Sequence, residues 1–73
     1  MPGQLWVQFK NKEEYENNKA LLNEKLENIK GKDTLCIYLC DEKKVKKEKA
    51  RVRADAASVD ILAEFFGKEN VKL

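Results

Sequence analysis

The sequence predicts an α+β fold. Two helices lie on one face of a four-stranded mixed sheet, in the order β-α-β-β-α-β. Three observations predict it. Leu5, Val7 and Phe9 fall at every second position within Gln4–Lys10, and basic and apolar residues alternate without a break in Lys49–Ala54, as in strands with one buried face. Apolar residues recur at helical spacing between Lys12 and Lys30 and between Asp55 and Phe66. A Gly-Lys-acid triplet follows each helical stretch, Gly31-Lys32-Asp33 and Gly67-Lys68-Glu69, and each triplet precedes a strand.

The first strand covers residues 4–10, with Leu5, Val7 and Phe9 on one face and Trp6, Gln8 and Lys10 on the other. Asn11 caps a helix over 12–30, and Glu14 stands three residues on, in capping-box position. Tyr15, Leu22, Leu26 and Ile29 form its buried stripe, and Gly31 is its C′ residue. The helix is not basic overall, so its stripe serves core packing rather than a membrane surface.

Strand two covers 34–41 and holds the most apolar run, Leu35 to Cys40. A charged turn follows, including Lys43-Lys44-Val45-Lys46-Lys47, which reads as a solvated turn. Strand three covers 48–54. Asp55 caps the second helix, with Ser58 the weaker candidate. Val59, Leu62, Phe65 and Phe66 make its stripe, Ile61 lies alongside, and Gly67 ends it. Residues 70–73 form a short last strand with Val71 and Leu73 inward. Two βαβ halves of this kind build the split βαβ, or ferredoxin-like, arrangement. Right-handed crossovers place both helices on one face, with strands one and three central and strands two and four at the edges. Ala50, Val52 and Ala54 are expected to face the helices.

Seventy-three residues form a single domain, 1–73, with little room for an enclosed active site. A 42% hydrophobic content suits a globular core and excludes a disordered tail. The net charge is only +2, but residues 34–54 carry seven cations against three acids. Such a patch attracts nucleic acid or an acidic partner, or simply deters edge pairing.

There is no histidine, so Ser-His and Cys-His catalysis is excluded. The three scattered glycines make no phosphate loop. No catalytic residue, cofactor-binding residue or metal ligand is expected. Cys36 and Cys40, four apart on a strand, stand about 13 Å apart, too far for a disulfide. They read as free thiols in a reducing, cytoplasmic setting. No run is long and apolar enough for a membrane span. Met1-Pro2-Gly3 is abrupt before a strand and reads as an added start, which makes the chain a piece of a larger one.

The other sheet face is then bare and carries Trp6, Gln8, Cys36, Tyr38, Cys40, Lys49, Arg51, Arg53 and Lys72. Trp6, Gln8, Tyr38, Arg51 and Arg53 are the candidate interaction residues. Protein docking would use Trp6 and Tyr38 as anchors. Single-stranded nucleic acid would stack on Trp6, although strand three offers arginines where stacking aromatics are needed. The third reading is packing of Trp6 within the sheet face or on a neighbouring domain.

Thr34 to Leu39, Asp41-Glu42, Arg51-Val52-Arg53-Ala54-Asp55, and the close Leu62-x-x-Phe65-Phe66-Gly67-x-x-Asn70-Val71-Lys72-Leu73 have an order and spacing that carry a resemblance. Over about residues 5–73, the chain resembles the extreme C-terminal domain of the bacterial DNA polymerase III alpha subunit. The Lys-rich turn and the two cysteines are not expected of every member. The resemblance implies a non-catalytic part of a DNA-directed DNA polymerase in the bacterial cytoplasm. Its chemistry belongs to a palm domain far upstream. It also implies attachment to the tau subunit of the clamp loader and contact with neighbouring polymerase domains. It identifies no tau-contacting residue. A weak contact with single-stranded DNA is the other expected partner.

Overall fold

The computed structural model describes residues 3–73. Met1 and Pro2, read above as part of an added start, lie outside them. The elements are β1 (Gln4–Phe9), α1 (Lys12–Leu26), β2 (Lys30–Leu39), β3 (Lys44–Val52), α2 (Ala56–Phe66), a 3-10 turn (Lys68–Asn70) and β4 (Val71–Lys72). The α+β class, the β-α-β-β-α-β order, the two helices and the four-stranded mixed sheet are those the sequence predicts.

The strand order corrects one expectation. It is β3-β2-β1-β4, so β1 and β2 are central and β3 is an edge. β1 and β2 pair in parallel from Gln4↔Thr34 to Phe9↔Leu39, while β3 and β4 add antiparallel on either side. The unit β1-α1-β2 is contiguous, and β3-α2-β4 straddles it. The cause is the distribution of charge. Leu5, Val7, Phe9, Leu35 and Ile37 need neighbours on both sides, whereas β3, with five cations in nine residues, is solvated along its free edge.

Caps start both helices as expected. The Glu14 N–H donates to Asn11 Oδ1 at 2.8 Å, and the Ser58 N–H donates to Asp55 Oδ1 at 2.8 Å. α1 ends earlier than expected, at Leu26, and Gly31 is a residue of β2 rather than a helix cap. A Cβ there would stand 2.6 Å from the Val52 carbonyl oxygen and 2.7 Å from the Arg53 nitrogen, so only glycine lets β2 approach this backbone. Gly67, with φ of 93°, turns the chain out of α2 as expected.

One core joins the layers. Leu5, Val7, Phe9, Leu35, Ile37, Leu39, Val52 and Val71 of the sheet pack with Tyr15, Leu22, Leu26, Ile29 and Leu62. Three inward assignments are corrected. Ala50 is exposed because two register shifts interrupt the β2–β3 ladder, at Lys30/Asp33 and at Thr34/Cys36, and the second lies opposite Glu48–Ala50. Leu73 is 62% exposed because β4 stops at Lys72. Phe65 is 44% exposed and lies under Lys25 Nζ of α1, 4.0 Å from the ring centroid. The lysines from Lys44 to Lys47 belong to β3, not to the turn, which is the short stretch 40–43. Val45, between them, is half exposed.

Candidate functional site

Alternation along β1 puts Leu5, Val7 and Phe9 under the helices and turns Trp6 and Gln8 to the opposite face. Parallel pairing in register sets Gln8 beside Tyr38 of β2, and antiparallel pairing sets Trp6 beside Lys72 of β4. These side chains meet at one end of the bare face. Trp6, Gln8, Tyr38 and Lys72 line a groove of about 220 Å3, closed by Glu69, Asn70 and Leu73.

The far wall is built by the turn after α2. Gly67 redirects the chain, and the Asn70 side chain then bridges two elements. Its Nδ2 donates to the Phe66 carbonyl at 2.7 Å, and its Oδ1 accepts from Gln8 Nε2 at 3.1 Å. Gln8 Nε2 also lies 3.4 Å from the Glu69 carbonyl oxygen. Gln8 is thus held as a fixed wall of the groove. The lining holds one cation, Lys72, and one acid, Glu69, around two aromatic rings.

Of the five candidate residues, Trp6, Gln8 and Tyr38 come together and Arg51 and Arg53 do not. Arg51 sits on β3, across the sheet, and donates to Thr34 Oγ1 at 3.0 Å. Arg53 lies past the end of β3, with Nε 3.7 Å from Asp55 Oδ2 and Nη2 3.4 Å from the Asn28 carbonyl. Cys36 is a further correction. It points to the bare face yet is fully buried, because it stands on a central strand between Trp6 of β1 and Lys47 of β3. Both cysteines are free, and Cys40 is exposed.

Sequence reasoning missed Glu69, Asn70 and Leu73 as groove residues, having placed the last two in a strand. The signal available was the spacing of Gly67 and Asn70, a left-handed residue followed by a side chain able to bond back to the helix end.

The perturbed ionisable groups lie outside the groove. Asp33 accepts the Ala54 N–H at 2.8 Å and the Gly3 N–H at 2.9 Å, which hold its carboxyl below the usual range. Asp55 is lowered by its hydrogen bonds with Ser58. Burial, and then the Glu48 carboxylate that accepts its hydroxyl, push Tyr15 upward.

Among the described residues, no three His, Cys, Asp or Glu side chains gather as a metal site. No helix there is long and apolar enough to cross a membrane. What the groove offers is a concave aromatic floor with a polar rim, a shape for receiving a side chain or a short segment of a partner. Comparison with protein-family models, with curated proteins and with solved structures finds no match for this chain.

Proposed function

We propose that this chain is a non-catalytic protein-interaction domain. In this reading it is the C-terminal part of a bacterial replicative DNA polymerase, the alpha subunit of DNA polymerase III, and helps attach that polymerase to the tau subunit of the clamp loader. The parentage rests on the resemblance in residue order and spacing over residues 5–73. The interaction role rests on one observation, the groove lined by both Trp6 and Tyr38, two positions apart in register on neighbouring strands of a sheet face the helices leave uncovered. Aromatic anchors in a concave site are the residues that dominate protein interfaces, and neighbouring polymerase domains could occupy the rest of this face.

Titration of the 15N-labelled domain with a C-terminal fragment of tau tests the reading. Amide shifts should cluster at Trp6, Gln8, Tyr38 and Lys72. Trp6→Ala should cost about 2 kcal/mol of binding, the scale of an interface hot spot. An unchanged spectrum at high micromolar tau removes the proposal. Quenching of Trp6 by single-stranded DNA, falling steeply with salt, would favour a nucleic-acid module instead.

A further inference from the structure

We infer that β3 is a second interaction surface, separate from the groove, and that it binds the phosphate backbone of a nucleic acid without reading its bases. β3 is the edge of the sheet opposite β4, on which the groove is centred, since the order β3-β2-β1-β4 puts β2 and β1 between them, and the groove comes nearest to β3 at Tyr38 of β2, which pairs with Val45. Along nine residues β3 carries Lys44, Lys46, Lys47, Lys49 and Arg51, all exposed. Its single acid, Glu48, is engaged inward by the Tyr15 hydroxyl.

The cations lie on both faces of the strand. Lys44 and Lys46 pair with Leu39 and Ile37, on the helix side. Lys47 and Arg51 pair with Cys36 and Thr34, on the bare side. Among the described residues only Lys44 of the five has a carboxylate within 4.0 Å, that of Glu42 at 3.6 Å. The other four have no carboxylate partner, although Lys46 lies over the Tyr15 ring and Arg51 donates to Thr34, and together they concentrate positive potential along one rim.

The chemistry of the strip selects its partner. Cations two apart on a strand stand about 6.6 Å from each other, and the five extend over roughly 20 Å. A duplex presents one phosphate charge for about every 1.7 Å of axis, so such a strip meets several phosphates at once and gains by counterion release. An acidic protein strand is less suited. The shifted register at Glu48–Ala50 interrupts a regular edge, and Val45 is the only large apolar side chain exposed along the strip. The strip has no aromatic residue, which excludes base stacking on it.

The test is fluorescence anisotropy of a labelled oligo-dT and of a labelled duplex across a salt series. If four phosphates are neutralised, log affinity for oligo-dT falls against log salt with a slope of about −3. The Lys47→Glu/Lys49→Glu double variant should bring that slope to about −1, as two phosphate contacts are lost. Lys47→Gln/Lys49→Gln repeats the measurement should the reversal perturb folding, which circular dichroism checks. Trp6→Ala should leave binding unchanged, which separates this surface from the groove and from any failure of the tau reading. Tighter binding of one DNA form assigns single strand or duplex as the natural source of phosphate. The inference is overturned by no binding at low salt, by affinity independent of salt, or by polyglutamate binding as tightly as DNA. Loss of binding in Trp6→Ala with the lysine variants unaffected also overturns it.

Discussion

Tyr15 ties the helix layer to the edge of the sheet. Its ring is buried against Phe9, with centroids 5.5 Å apart, and its hydroxyl donates to the Glu48 carboxylate on β3. Lys46 Nζ stands 5.2 Å from the ring centroid, so both residues of the neighbouring strand use the same aromatic. Burial first, then the Glu48 carboxylate, raise the phenol above its ordinary value of 10. The protonated form is therefore favoured in the folded state. The stability it confers is whole below about pH 10 and is lost as pH climbs from there through the folded value. Tyr15→Phe should cost about 1–2 kcal/mol at neutral pH, because a hydrogen bond to a charged group goes unmade. The same variant should lose less stability between neutral pH and pH 11 than the parent. Denaturant titrations at both pH values check the two halves of this prediction.

At the scale of elements, β2 is the spine. It runs ten residues and pairs with a strand on each side. Its first turn of pairing depends on Gly31, where a Cβ would enter the backbone of Val52 and Arg53. Gly31→Ala should therefore destabilise by about 1–3 kcal/mol, the usual cost of overpacking, although Gly31 is in a strand, where alanine would ordinarily be tolerated. A control on α1 gives the scale. Asn11→Ala removes one cap and should cost about 1 kcal/mol. Thermal denaturation of both variants should place Gly31→Ala at or below Asn11→Ala. A higher melting temperature for Gly31→Ala would mean that β2 can shift away from β3 at little cost.

For the molecule as a whole, what was legible in the sequence was what chemistry fixes locally. Asn11 and Asp55 declare helix starts because each cap is satisfied three residues on, and Gly67 declares an end by its left-handed backbone. The inward set Leu5, Val7 and Phe9 follows from period-two spacing, and Leu35, Ile37 and Leu39 are the aliphatic residues at every second position of a continuous apolar run. Strand order was misread, because pairing β2 or β3 with β1 satisfies the same alternation, and alternation leaves out the charge of β3, which the sequence does show. The register shift at Glu48–Ala50 was hidden for a related reason: Lys49–Ala54 keeps period two in sequence while losing it in space. The groove's far wall needed Asn70 to reach Gln8, a contact across 62 positions.

One global property follows. Asp33 clasps Gly3 and Ala54, so it joins the start of the chain to the approach to α2. Its carboxyl, like that of Asp55, is depressed in the folded state. Stability from both is present above about pH 4 and is lost as pH falls through their folded values. The melting temperature should decline on acidification below pH 4, and Asp33→Asn should flatten that decline.

The sealed position of Cys36 gives the molecule its own clock. A thiol reagent can take Cys40 at once, but it reaches Cys36 only when Trp6 or Lys47 swings aside or the ladder parts. The slow phase of labelling would then count these openings directly, and a partner seated over Trp6 would be felt as a lengthening of the interval between them.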